Sequence, residues 1–338
     1  MKAFACSFLL TVFLLLLIGA SNDQKRPSQA TLKKSGEIDL TGQPGKRFDY
    51  LTIDYDHGYL LSAHLGANKL YVIDLNSRQL LKTIEDTPGA EGVEYVAEFN
   101  KVYTSNWGDH TVGVIDMNKM EVVKKIPVKS KPDGNVYAPG FGKLYVSDER
   151  AKTLFVIDVR RDEVTKTLLF ESETGMPQYD PVTKKIYLNL QDENAFVVID
   201  PVNDSVIGKY PVEMGKGNHG MALDAKHHRA FLACEGNNKL VVLNLDTYKS
   251  VAALTIPPGC DVVKFDPGLS RIYVACYEGK IAVIREVDPD HYSKLEDFPV
   301  EKKVHSLAVD EKTHKVYVPE QEENGKPAAK IVIYDAVY

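Results

Sequence analysis

One six-residue word, rewritten seven times, constrains this chain more than any other feature. Five copies are clear: KVYTSN (101–106), KLYVSD (143–148), KIYLNL (185–190), RIYVAC (271–276) and KVYVPE (315–320). YLLSAH (59–64) and RAFLAC (229–234) fall in phase as weaker copies. A second apolar run follows each word, as in YVID (71–74), GVID (113–116), FVID (155–158), VVID (197–200), VVLN (241–244), AVIR (282–285) and IVIY (331–334). A third comes after it, such as EVVKKIPV (121–128) or SVIGKYPV (205–212). Each unit therefore reads as four short β-rich runs parted by turn residues, with almost no helical periodicity. Units of 42 to 44 residues with four strands are the signature of propeller blades. Seven of them fill residues 49–338, so the expected fold is all-β, a seven-bladed β-propeller forming one domain over 35–338. The seventh unit lacks a fourth strand, and a spare strand at 36–40 lies upstream of the first. Pairing the two closes the ring with the N-terminal strand and removes an exposed sheet edge.

The segment before the repeats reads as an address. Residues 1–20 carry one charge, Lys2, then an apolar run from Phe8 to Ile18 and the small pair Gly19-Ala20. That run falls well short of the roughly 20 residues that a membrane-spanning helix needs. It fits a secretory signal cleaved after Ala20, with 21–34 as a flexible lead-in and a periplasmic or secreted destination. No second run approaches membrane-spanning length, so the mature chain is expected to have no membrane span. A composition with 26% charged and 44% hydrophobic residues excludes disorder. The net charge of −6, without a basic block, speaks against a phosphate-tracking surface.

The words KLYVSD, RIYVAC and KVYVPE, each followed by a V-I-D-like strand, resemble the YVTN-repeat propellers, the YncE-like family. The resemblance spans about residues 35–338 and is specific for fold. It implies a bacterial, usually exported, seven-bladed propeller and leaves the activity open, since one fold hosts unrelated functions. Related propellers include lactonases and extracellular binding modules.

In a propeller the first strand of each blade lines the channel, so residues at its start meet at one mouth. The repeat phase places Asp49, Glu91, Asp133, Gly175, His219, Asp261 and His305 there. Turn chemistry accounts for some aspartates but not for two histidines. Carboxylates crowded in a channel raise one another's proton affinity or require a cation. His219, Asp261, His305 and Asp49 are the candidate ligands for a divalent metal ion; imidazole favours zinc, the oxygen-rich side calcium. The alternative is a water-filled channel of mutually bonded polar groups. The ends of the second strands form an outer set in phase: His64, Asn106, Asp148, Leu190, Cys234, Cys276 and Glu320.

Trp107, in SNWGDH (105–110), lies on a loop beside the mouth, where it serves either as a ligand-stacking surface or as a packing residue. Four cysteines are too few for a disulfide scaffold. The hairpin from Cys260 to Cys276 nevertheless sets those two opposite each other, as the best candidate pair. Asp54, Asp180, Asp224, Asp266 and Asp310 share another phase as turn formers, and His227-His228 lie in a turn on the far rim, where solvation is expected. GKGNHG (215–220) introduces a strand, not a helix, so it is no phosphate loop.

Three functions follow in order of preference. The first is an exported binding or scaffold module for a small ligand, metal ion or protein partner at the mouth, monomeric because a closed ring offers few free edges. The second is a metal-assisted, lactonase-like hydrolase with Glu91 or Asp133 as base. The third, a nucleic-acid binder, sits poorly with the acidic balance.

Overall fold

The computed structural model describes residues 30–40 and 42–338, together with Met1. The rest of the signal segment expected at 1–20, and the lead-in as far as residue 29, lie outside the described residues. Seven four-stranded antiparallel sheets follow one another along the chain. Their innermost strands touch around a ring that closes between the first blade and the last. Blades 1 to 6 span residues 51–84, 90–127, 132–169, 174–211, 218–255 and 260–299. Blade 7 takes Ala308–Asp310, Lys315–Glu323 and Lys326–Ala336 from the end of the chain and Leu32–Asp39 from its beginning. Among the described residues no helix is long and apolar enough to cross a membrane.

The closing strand starts earlier than the spare strand expected at 36–40. It pairs antiparallel with Lys326–Ala336, Leu32 opposite Ala336 and Asp39 opposite Lys330, with a bulge between Lys34 and Gly36. Leu32 is 1% exposed and belongs to the cluster between blades 6 and 7. Residues 32–34 are therefore sheet rather than flexible lead-in, because an apolar anchor precedes the polar stretch. Thr31 adds a tie, giving its N–H and hydroxyl to Glu296 Oε2 at 2.7 and 2.8 Å.

The repeated Lys-x-Tyr word has a mechanical role. Lys101 Nζ reaches Val159 O and Asp162 in the next blade, and Tyr103, fully buried, gives its hydroxyl to the same Asp162. Lys143 and Tyr145 do the same to Pro201 O and Asp204. In blade 5 the basic residue is Arg229, bonded to Pro289 O and Asp290 of blade 6. Arg271 completes the series: its guanidinium reaches Thr31 O and Val337 O, gripping both strands that close the ring. Blades 2, 3, 5 and 6 are thus each pinned to the next by charge-assisted hydrogen bonds over a buried aromatic.

The turn-forming aspartates are buried, and Asp54, Asp180, Asp224, Asp266 and Asp310 each accept backbone N–H groups of their own hairpin. Among the described residues the candidate cysteine pair is not bonded. Cys260 and Cys276 face each other in register, yet both are free thiols, as is Cys234. Cys276 Sγ turns back to Val274 O at 3.5 Å, and burial pushes its thiol up to about 12, so the nucleophilic thiolate is suppressed.

In blades 2 to 6 the ladder between the first two strands breaks near its start, between Ala90 and Val93, Pro132 and Asn135, Thr174 and Pro177, Asn218 and Met221, and Cys260 and Val263. The residue expected at the mouth falls inside each break, released from pairing and turned to the channel. Neighbouring blades come very close here: a Cβ on Gly220 would stand 1.8 Å from Asp261 O. Gly220→Ala is expected to destabilise the protein by about 1–3 kcal/mol, the usual range for overpacking, measured by urea unfolding. A value below about 0.5 kcal/mol, the usual surface scatter, would show that the strands part freely.

Candidate functional site

The breaks open onto a cavity of about 340 Å³ at one end of the channel, lined by Arg47, Asp49, Tyr50, Asp133, Glu149, Glu173, Gln191, His219, Glu235, Gly259, Asp261, Tyr277 and His305. Asp49, Asp133, His219, Asp261 and His305 therefore meet at one mouth. Glu91 lies beside the cavity, 1% exposed, with Lys131 Nζ 3.6 Å from its Oε1. Gly175 leaves no room for a side chain, since a Cβ there would stand 2.8 Å from His219 O. Trp107 does not line the cavity. It packs over Gly89, whose Cβ would fall 2.4 Å from the indole, with Lys131 Nζ 5.8 Å from its ring centre.

Two groupings divide the mouth. On one side Arg47 gives Nη2–H to Asp49 Oδ2 at 3.0 Å and Nε–H to His305 Nε2 at 3.3 Å, while His305 Nδ1 faces Lys303 O. Acceptance from Arg47 suits a neutral imidazole, whereas Asp49 Oδ2, 3.5 Å from the same nitrogen, draws a proton there. Burial opposes charging of His305, but the interaction of its Nε2–H with the Asp49 carboxylate carries its pKa above the ordinary value. Burial likewise opposes ionisation of Asp49, and His305 and Arg47 overcome it, holding the carboxyl below its usual range. With a guanidinium over Asp49 and His305, this half of the expected ligand quartet is already neutralised.

On the other side His219 Nε2 stands 3.6 Å from Asp261 Oδ1, 3.8 Å from Asp133 Oδ2 and 3.5 Å from the Tyr50 hydroxyl. His219 Nδ1 lies 3.2 Å from Gln191 Oε1, and a proton donated there leaves Nε2 as the free donor atom. Glu149 completes a cluster in which one ligand atom each from Asp133, Glu149 and His219 lies within 4.8 Å of the others. Among the described residues, buried oxygens of Glu91 (Oε2), Asp133 (Oδ2) and Asp261 (Oδ1) have no hydrogen-bond partner.

The electrostatics follow from this crowding. Burial, then Glu149, pushes the Asp133 carboxyl up to about 7. Burial, then Asp133, pushes Glu91 up to about 10. Burial alone would depress His219, yet Asp261 and Asp133 hold it up at about 9. All three shifts report an excess of negative charge that the protein does not itself cancel.

The repeat phase carried most of the mouth and missed Arg47, Tyr50, Lys131, Glu149, Glu173, Gln191, Glu235 and Tyr277. A signal existed for four of them. Glu149, Gln191, Glu235 and Tyr277 each stand one residue past the end of a second strand, the position that Trp107 holds in blade 2.

No family model matches the chain, and no curated protein matches it. Among solved structures it is similar to hydrazine synthase from Kuenenia stuttgartiensis, with a TM-score of 0.72 over 83% of this chain and 94% of that one, at 13% sequence identity. A likeness at that identity speaks for fold alone. Seven closed sheets and this structural neighbour establish the chain as a seven-bladed β-propeller.

Proposed function

We propose that this propeller is an exported binding module whose mouth holds a divalent cation through Asp133, Glu149 and His219, and recruits its ligand there. The observation that carries the reading is the set of buried carboxylate oxygens without hydrogen-bond donors among the described residues, two of which face His219 Nε2 at 3.6 and 3.8 Å. A divalent ion bound to one nitrogen and two carboxylates relieves that excess charge, and the donor set suits zinc better than calcium. The acidic lining also selects cationic ligand groups over phosphates. Export rests on the charge and apolar pattern of residues 1–20.

The same donors support a hydrolase as a second reading, with the cation polarising a lactone or ester carbonyl. In that case Glu91, protonated at neutral pH, serves as a proton donor rather than the base.

The test is metal content by mass spectrometry on mature protein purified without chelator and then zinc-loaded. Asp133→Asn/His219→Ala is expected to lose one metal per chain relative to wild type. Equal metal in both proteins overturns the mouth site. Chelator-sensitive turnover on a lactone and ester panel, absent from the variant, promotes the hydrolase; its absence leaves the binding module.

A further inference from the structure

At the far rim from the mouth, the hairpin of blade 5 meets the third strand of blade 6. Six of the seven blades have an equivalent residue here, marked by its N–H bonding back to a carbonyl of the first hairpin; five of them are Leu75 to Gly58, Met117 to Asn100, Val159 to Gly142, Leu245 to His228 and Ala336 to His314. In blade 6 that residue is Glu286, bonded to Ser270 O. Five blades place an apolar side chain where blade 6 places a carboxylate that is only 4% exposed. Propeller packing does not call for that charge.

Nor do its neighbours supply what a buried carboxylate requires. Among the described residues Glu286 Oε2 has no hydrogen-bond partner. Oε1 lies 3.3 Å from the Tyr292 hydroxyl, but that hydroxyl's one proton has a closer acceptor, Pro289 O at 2.8 Å. Arg229, the nearest guanidinium, is spent on Pro289 O, Asp290 and the carbonyls of His227 and His228. A second buried carboxylate, Asp224, faces the site, its Oδ2 2.6 Å from His227 Nδ1. His227 Nδ1 is in turn 3.7 Å from Glu286 Oε1.

We propose that Asp224, His227 and Glu286 form a second divalent-cation site, of the zinc class, clipping blade 5 to blade 6. One ligand atom from each residue lies within 4.8 Å of the others, and bonds of about 2 Å need only a small contraction. His227 is half-exposed, which leaves an open side for water to complete the coordination. Burial, and then Asp224, pushes the Glu286 carboxyl up to about 7, in keeping with two carboxyls that lack a cation between them. The Asp-x-x-His turn alone is not the signal, because blade 1 has the same contact between Asp54 and His57 at 2.7 Å as an ordinary turn. The carboxylate arriving from the next blade makes the difference.

The test uses the full chain carrying Asp133→Asn/His219→Ala, which removes two of the three ligands proposed at the mouth and so reads the rim independently of the function proposed above. Titration with Co²⁺ is expected to show one ion per chain with visible ligand-field absorption. Glu286→Leu, which installs the residue that blade 5 uses, is expected to abolish both while keeping or raising the melting temperature. Where leucine disturbs packing, His227→Gln at its half-exposed position reads the same loss, with at least a tenfold weaker affinity. Unchanged cobalt binding in both variants, or none in the parent, overturns the site and leaves two carboxyls sharing a proton.

Discussion

A chain lacking residues 30–40 is expected to melt roughly 10 °C or more below the intact protein and to aggregate as it does so. The deletion removes Leu32, Ile38 and Leu40, all buried, and large buried side chains cost about 2–5 kcal/mol each when lost. At about 2 °C per kcal/mol for a domain of this size, those losses set the shift. It also strips the ladder partner from Lys326–Ala336 and the Thr31 carbonyl from Arg271, leaving an open sheet edge ready to pair with another chain. Circular dichroism melts and size-exclusion chromatography read both effects. An unchanged melt would mean that blade 7 stands on three strands. Leu32→Ala alone is expected to account for about 2–4 kcal/mol.

The metal-free protein is expected to lose stability steadily as pH rises from about 5 to 9. Asp133 titrates near 7 and Glu91 near 10 in the folded chain, both above their unfolded values, so the native state holds more protons across that window. His219, held up at about 9, acts in the same direction: its contribution is complete below about 6.5 and disappears as pH rises through 9. The sign is common to all three, since the native state binds the excess protons and raising pH removes them. Asp133 alone is worth on the order of 4 kcal/mol over its window, and the coupled total is not the sum of separate values. Asp133→Asn is expected to flatten the profile between about pH 4 and 7, the window over which only the native state keeps that proton, in urea unfolding. Saturating zinc should do the same in wild type, by replacing the lost protons with a cation. A profile that rises toward pH 9 would show that the mouth carboxylates are not crowded as described.

The fold was legible because a blade cannot hide its period: each word such as KLYVSD is a strand that must bury a large side chain in the same place, a tyrosine in five blades, Leu61 in blade 1 and Phe231 in blade 5. The mouth was legible to the extent that the period could project it, which brought Asp49, Asp133, His219, Asp261 and His305 to one cavity. Arg47 escaped because it precedes the first unit and reaches inward on a long side chain. Its presence could not be weighed without seeing that it covers Asp49 and His305. Glu149 escaped because the outer phase set stopped at Asp148, one residue short of the loop that turns over the channel. The cysteine pair failed for a different reason: register sets two residues opposite, but side-chain direction decides whether sulfurs meet. Glu286 was silent in the sequence, one glutamate among many, until hydrogen bonds showed that its counterparts are apolar.

The broken ladder at the start of the innermost strands separates what the ring is made of from what it can be asked to recognise. The mouth residue inside such a break takes no part in strand pairing, so its side chain answers to the channel rather than to the sheet behind it. Blades 2 to 6 each hold one such independent letter, and in blade 4 the letter is fixed as glycine by the His219 carbonyl beside it. The mouth is therefore a short alphabet written on a constant scaffold, and replacing its letters is the direct route to giving this ring a different ligand.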